Sequence, residues 1–270
     1  MKKVFIIGVL ILFCTTVAWA DAVDRELPKT ATEQVRNSTR QMLNQGFSTE
    51  NVTSLTRQML TNNFREQQVL QAQAILMDAR REGLPTEPIM NKAYEGLAKQ
   101  VQAEAVVKAM EQVRSRYEFA TKQAGAITED KAGINRMAGV LAGSMSAGMN
   151  TEDAERIMQT LRERTRNMTQ AHSQELALQT LMTTQTMARL GLQSKSVGDS
   201  VCQALQQGYS AQEMHNMRNA VMANARHSYS ENFSESHSFD AGQHNGPEGM
   251  GGHGADSGGG MGGGAGGGHK

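Results

Sequence analysis

The chain has 270 residues with 27 basic and 27 acidic side chains, so its formal net charge is zero. The two signs are interspersed rather than gathered into a basic stripe, and aromatic residues make up only 4% of the chain, which disfavours nucleic-acid partners and stacking sites for bases or sugars. Strong helix formers dominate and strand patterns are absent, which favours an all-α fold.

The first twenty residues are typical of a secretory signal peptide. Two lysines precede an apolar run over residues 4–13, and an Ala-x-Ala cleavage site ends at Ala20, so we expect cleavage after Ala20. The apolar run is shorter than the roughly 20 residues that a permanent membrane helix needs. An uncleaved anchor is the alternative. The sequence therefore predicts a periplasmic or secreted mature protein without a transmembrane segment, beginning with a linker over residues 21–30.

A repeat of helical character follows the linker. Residues 35–43 read VRNSTRQML and residues 52–60 read VTSLTRQML, seventeen positions further on. A short motif separates the copies and recurs along the chain. It begins with Gly and an apolar residue and continues to Ser, Thr or Asn. Its glycines suit the left-handed residue after a helix end, and its hydroxyl groups suit the N-cap of the next helix. The glycines concerned are Gly46, Gly83, Gly125, Gly148, Gly191 and Gly208.

These recurring signals for the end of one helix and the start of the next predict an array of about ten antiparallel helices, similar to an αα-hairpin solenoid, over residues 31–227. Thr30 with Glu33 and Ser210 with Glu213 are predicted capping boxes. One repeat unit spans about forty residues, as in helical solenoids. The predicted helices are 31–45, 49–62, 65–82, 87–99, 102–124, 128–147, 150–166, 169–190, 194–207 and 210–227.

The fifth predicted helix carries an apolar stripe at the 3.6-residue spacing of an amphipathic helix, which indicates a core-facing side. The stripe comprises Val106, Val107, Met110, Val113, Tyr117 and Ala120.

Residues 83–116 carry the most distinctive motif, which begins GLPTEPIMNKAYEGLAK. It resembles a motif of uncharacterised secreted bacterial proteins, and the resemblance implies a helical fold and export but no activity. The matching positions are Gly83, Leu84, Pro85, Glu87, Pro88, Lys92, Ala93, Glu95, Gly96, Leu97, Ala98 and Lys99.

We predict that this motif binds an unknown protein or peptide partner in the cell envelope; the alternative for its apolar residues is burial in the core. The alternative for its charged residues is a plain surface ion pair, because Glu95 and Lys99 are four residues apart on a helix. Gly96 in a helix costs about 1 kcal/mol relative to Ala, which predicts a close helix crossing there. The predicted binding residues are Leu84, Ile89, Met90, Lys92, Glu95 and Leu97.

A metal-handling role for copper, nickel or zinc is the alternative function, because thioether and imidazole ligands suit Cu(I) and His-rich tracts chelate metal ions. Methionines that fill gaps between helices are the competing interpretation. The candidate ligands are Met145, Met149, Met214, Met217, His237, His244, His253 and His269.

The chain from residue 228 to residue 270 is predicted to be a disordered Gly- and His-rich tail, serving as a spacer or a weak chelator. After signal cleavage Cys202 is the single cysteine; its helical context favours a small buried side chain over an intermolecular disulfide or reactive thiol. No catalytic or cofactor motif is present, so we predict a non-enzymatic protein- or peptide-binding scaffold or chaperone-like factor without a cofactor.

Overall fold

The fold is known from a computed structural model that describes residues 23–237. In this range a helical turn at residues 23–26 precedes ten helices, and no strand occurs. The all-α prediction is confirmed, and every predicted helix limit except the last lies within three residues of the observed one. The helices are α1 (Glu33–Asn44), α2 (Thr49–Thr61), α3 (Glu66–Arg81), α4 (Glu87–Ala98), α5 (Ala103–Gly125), α6 (Lys131–Ser146), α7 (Thr151–Thr165), α8 (Gln170–Arg189), α9 (Ser194–Gln206) and α10 (Ala211–His237).

The last helix is the exception, since α10 continues ten residues beyond its predicted end. The added stretch, residues 228–237, contains neither Gly nor Pro, so nothing in the local sequence stops the helix. The rest of the predicted disordered tail, and the predicted signal peptide with its cleavage site, lie outside the described residues.

Helix ends follow one scheme in most of the described chain. At the end of α3, the amide of Gly83 donates to the carbonyl of Arg80 and the amide of Leu84 donates to that of Ala79, at 3.1 and 2.8 Å. This pair of bonds is the Schellman motif, and it requires a left-handed residue. Within residues 23–237 seven positions have positive φ and close a helix in this way: Gly46, Asn63, Gly83, Gln100, Gly148, Gly191 and Gly208.

Two predicted helix signals are wrong. Gly125 is the last residue of α5 rather than the residue after its cap, and the following Ala126 is right-handed, so no left-handed glycine is needed there. Thr30 lies inside a turn, and Thr32 caps α1 instead, accepting from the amide of Val35 at 3.4 Å. These corrections move helix limits by no more than three residues, so the array is unaffected.

The second predicted capping box is confirmed. The amide of Ser210 donates to the Glu213 carboxylate at 2.7 Å, and the amide of Glu213 donates to the Ser210 hydroxyl at 3.3 Å. The first of these bonds lowers the pKa of Glu213. The start of α10 is therefore specified by four consecutive residues of sequence.

Alternate helices pack on each other, as in stacked helical hairpins. Helix α3 lies between α1 and α5, α2 packs on α4, α6 packs on α8, and α7 packs on α9. Among α1–α9 the stacking is interrupted at α5: α4 does not stack on α6 and α5 does not stack on α7, and α5 instead packs along α6. The interruption matters because it leaves the far side of α4 uncovered.

The buried apolar residues form two clusters that meet on α5. Val106, Met110 and Val113 in its first half belong to the cluster built from α1–α4, whereas Ala120 and Ala124 in its second half belong to the cluster built from α6–α10. Tyr117 lies between the two groups and packs against both clusters. The interruption in helix stacking and the boundary between the clusters therefore coincide on one helix.

The seventeen-residue repeat has a buried polar counterpart. Thr39 and Thr56 occupy equivalent positions in the two copies, and both hydroxyl oxygens accept from the side-chain amide of Gln73 at 3.0 Å. Gln73 itself stands seventeen positions after Thr56. All three side chains are buried, so each hydrogen bond satisfies a group that water cannot reach. The bonds fix the relative positions of α1, α2 and α3.

A second polar link joins α7 to α9. The Asp153 carboxylate accepts from the Ser194 hydroxyl at 2.7 Å and from the Arg156 guanidinium at 2.8 Å, and Arg156 also pairs with Asp199 at 2.6 Å. Burial raises the pKa of Asp153, but the hydrogen bonds from Ser194 and Arg156 outweigh that effect and hold the pKa below its usual range. Asp153 is therefore ionised at neutral pH and ties the two helices together.

Cys202 lies on α9 and is 6% exposed, within the second apolar cluster. Its sulfur lies 3.5 Å from the hydroxyl oxygen of Thr160 on α7. Its burial agrees with the predicted role as a small core side chain.

Candidate binding site

A cleft of about 340 Å³ opens where α4 and α6 fail to stack. Helix α5 forms its floor, and α4 and α6 form its walls. The residues that line it are Pro88, Asn91, Lys92 and Glu95 from α4, Val113, Arg116 and Tyr117 from α5, and Ala142, Gly143 and Ser146 from α6.

Helix α4 presents its polar face to the cleft. Asn91 and Lys92 precede Glu95 by four and three residues, which places all three on one side of a helix. The opposite side carries Ile89 and Leu97, which are buried in the first apolar cluster. The motif therefore has two halves: its apolar residues hold α4 in the array, and its charged residues reach the cleft.

Gly96 sets the distance between α4 and α5. A Cβ atom added at Gly96 would lie 2.6 Å from Cγ2 of Val106, closer than side chains approach in folded proteins. The close crossing predicted from the sequence is thus present. It brings the wall formed by α4 against the floor formed by α5.

Glu95 is held by two lysines. Its carboxylate oxygens lie 2.8 Å from Nζ of Lys92 and 2.6 Å from Nζ of Lys99. The hydrogen bonds from Lys92 and Lys99 lower the pKa of Glu95 to about 2. The carboxyl is therefore ionised at neutral pH and has no proton to donate, so it acts as a fixed negative charge between two positive ones.

Arg116 contributes an unpaired positive charge. Its Nε donates to the carbonyl of Gln112 at 3.1 Å, one turn earlier on the same helix. No carboxylate within the described part of the chain forms an ion pair with its guanidinium, whereas Arg114 pairs with both Glu82 and Glu111. The two terminal nitrogens of Arg116 are therefore available to a ligand.

Tyr117 supplies a neutral donor beside Arg116. Burial raises the pKa of its phenol, and the positive charge of Arg116 opposes this effect only in part. The phenol is therefore protonated at neutral pH. Among the residues with described side chains, none hydrogen-bonds to the polar side-chain atoms of Asn91, Tyr117 or Ser146, all of which line the cleft. A ligand in the cleft can use these groups without breaking an existing bond.

The predicted binding residues divide by burial. Lys92 and Glu95 line the cleft, with side chains 37% and 44% exposed. The apolar members are core residues instead: they are at most 7% exposed and do not line the cleft. These residues are Leu84, Ile89, Met90 and Leu97.

Sequence reasoning missed Arg116 and Ser146 and assigned Tyr117 to the core stripe alone. The spacing of Val113 and Tyr117 on α5 did indicate that both lie on one helix face, and Tyr117, toward the end of the stripe, is only partly buried. Ser146 ends α6 and carries no local pattern that distinguishes it from other exposed serines.

The predicted metal ligands are distributed between core and tail. Met149 and Met214 are buried in the second apolar cluster, and the Met149 sulfur lies 3.2 Å from the Ser194 hydroxyl oxygen. Met145 and Met217 are partly exposed. In the described part of the chain no group of three or more His, Cys, Asp or Glu is placed to hold a metal ion. His237 ends α10, and His244, His253 and His269 lie outside the described residues, so metal binding by the tail stays a prediction.

No protein-family model matches this sequence, and no curated protein or solved structure is significantly similar to it. Between residues 23 and 237, none of the helices combines the length and the apolar character needed to cross a membrane.

Proposed function

We propose that the chain is a periplasmic or secreted binding protein, without enzymatic activity, that holds a segment of a partner protein or peptide in the cleft between α4, α5 and α6. The observation that carries the proposal is the interruption in helix stacking, which opens a cleft of about 340 Å³ instead of burying the polar face of α4. This volume lies at the lower end of the range typical of ligand sites, about 300–1,000 Å³.

The lining of the cleft supports binding rather than catalysis. Val113 on the floor and Ala142 on the α6 wall offer apolar surface, and Asn91, Tyr117 and Ser146 offer polar groups without intramolecular partners. Apolar surface with a few convergent polar groups is the usual composition of a binding pocket. Glu95, the one carboxyl in the cleft, has its pKa lowered to about 2 and is therefore poorly suited to general acid–base chemistry.

Site-specific photo-cross-linking tests the proposal. A benzophenone amino acid at Asn91 in the full-length protein, expressed in its own cell envelope, should give a discrete adduct with the partner. Ser146→Trp should abolish the adduct, because the ring would fill the cleft from the end of α6. Asn135→Trp, an exposed position on the same helix away from the cleft, is the matched control and should leave the adduct intact. An adduct that persists in Ser146→Trp would contradict binding in the cleft.

Export is the second part of the proposal. It is supported by the charged start, the apolar run over residues 4–13 and the Ala-x-Ala site ending at Ala20. N-terminal sequencing of the protein from fractionated cells should identify Asp21 as the first residue in the exported fraction. Protein that is found only in the cytoplasmic fraction and begins at Met1 would contradict export.

A further inference from the structure

The charges around the cleft are unbalanced in one direction. Glu95 is shared between Lys92 and Lys99, so this group of three carries one net positive charge, and the unpaired guanidinium of Arg116 adds another. No further acidic side chain lines the cleft. An anionic ligand is therefore attracted into it, and a cationic one is repelled.

Arg116 is oriented for a planar anion. The bond from its Nε to the Gln112 carbonyl holds the guanidinium plane, and the two terminal nitrogens remain free. Two parallel N–H groups of a guanidinium match the two oxygens of a carboxylate, which makes the bidentate pair stronger than a contact with a single ammonium group. The adjacent Tyr117 hydroxyl, protonated because burial raises its pKa, can donate to the same anion.

The apolar residues of the cleft determine which chemical group next to the anion can be bound. Val113 and Ala142 are 9% and 3% exposed and leave an apolar surface between α5 and α6. A volume of about 340 Å³ has room for one short chain segment. A peptide bound through an internal acidic residue would need space for its chain on both sides of that residue. A peptide bound through its C-terminal carboxylate needs space on one side only.

We propose that the cleft binds the C-terminal carboxylate of a partner peptide whose last residue is apolar, with the carboxylate paired to Arg116 and the apolar side chain on Val113 and Ala142. This inference rests on the proposed function and specifies the partner's chemistry. Capture of a chain terminus by a fixed set of donors is a known mode of peptide recognition.

The test uses the full mature chain and three acetylated peptides followed by NMR titration: Gly-Gly-Ser-Leu with a free C-terminus, the same peptide with a C-terminal amide, and Gly-Glu-Gly-Leu with a C-terminal amide. The free acid should bind, and the plain amide should bind at least tenfold more weakly because the bidentate pair is lost. Equal affinity for the first two peptides, or no shift with the free acid up to millimolar concentration, would overturn the proposal. Preference for the internal Glu would overturn the assignment to a chain end.

Variants localise the effect. Arg116→Gln should weaken binding of the free-acid peptide about tenfold, to the affinity of the amide peptide. Arg116→Lys should restore binding only in part, because an ammonium group lacks the two parallel N–H groups of a guanidinium. Arg189→Gln, an exposed position on α8, is the control and should change nothing. Circular dichroism should show the same helix content in all variants.

The outcomes separate the two proposals. If the amide peptide binds as well as the free acid while Ser146→Trp still blocks cross-linking, this inference fails and the proposed function stands. If Ser146→Trp has no effect on cross-linking, the proposed function fails.

Discussion

Substitution of Gly96 tests whether the crossing of α4 and α5 is set by the missing side chain. The Cβ of an alanine there would lie 2.6 Å from Cγ2 and 3.2 Å from Cγ1 of Val106. Val106 is 1% exposed and β-branched, so it is enclosed in the core and has one strongly preferred rotamer in a helix. Gly96→Ala therefore forces the two helices apart, and the cleft wall moves with α4.

The magnitude follows from two opposing effects. Overpacking a core costs about 1–3 kcal/mol, and a contact this short belongs in the upper half of that range. Replacing Gly by Ala inside a helix gains about 1 kcal/mol. We expect a net decrease of about 1–2 kcal/mol in the free energy of unfolding. Gly139→Ala in α6 is the matched control, because no atom lies within 4 Å of its added Cβ, and it should be stabilising by about 0.5–1 kcal/mol.

The assay is urea unfolding of the two glycine variants, of Val106→Ala and of the double variant Gly96→Ala/Val106→Ala. In the Val106→Ala background the opposing methyl groups are absent, so Gly96→Ala should cost nothing or be stabilising, with a coupling of about 1–3 kcal/mol between the sites. If Gly96→Ala stabilises the wild-type protein as much as Gly139→Ala does, the crossing is not set by this contact and the reasoning is refuted.

Three further predictions concern the helix ends and the buried polar links, all measured by urea unfolding. Gly83→Ala should cost about 1 kcal/mol because φ is +74° although the added Cβ meets no atom, whereas Gln100→Gly, where φ is +54°, should be stabilising by a similar amount; the same sign for both would contradict left-handed strain. Asp153→Asn should cost about 1.5 kcal/mol at pH 7. Because the folded-state pKa of Asp153 is lowered, this contribution is present above the ordinary value of 3.8 and is lost as the pH falls through the lower folded value, so a difference that stays constant to pH 2.5 would count against it. Thr56→Val should cost about 1–2 kcal/mol by leaving the buried Gln73 amide with one acceptor, and an unchanged midpoint would show that the link contributes nothing.

The helix limits were predictable because the bonds that end a helix join residues no more than five apart. At Gly83 and Gly208 the left-handed residue, its two bonds and the following apolar residue all belong to one short stretch. The same logic missed Asn63 and Gln100, which adopt left-handed φ without being glycine. There the favourable Schellman bonds and packing outweigh the local cost of a Cβ, and such a balance is not visible in the residue type.

The candidate site was predictable only in part. The motif pointed to Lys92 and Glu95, and both line the cleft. It also pointed to Ile89 and Leu97, which are core residues, because helical spacing shows that a face is apolar without showing whether another helix covers it. The sequence distinguished Arg116 from Arg114 only in part: Arg114 has Glu111 three residues earlier on its helix, whereas Arg116 has no acid at that spacing. The second acid that pairs with Arg114 is Glu82, which caps the end of α3 and is thirty-two residues away, so its contact could not be predicted.

Helix type, helix limits and the repetition of a punctuated unit were encoded locally in this chain, since they depend on rotamer freedom, capping groups and left-handed residues that act within one or two turns. Which helices touch was settled by packing across long sequence separations. The joining of Thr39 and Thr56 through Gln73, the passage of α5 from one apolar cluster to the other, and the gap between α4 and α6 all arise there. Each depends on how side chains from distant segments share a limited volume, and no window of sequence contains both partners.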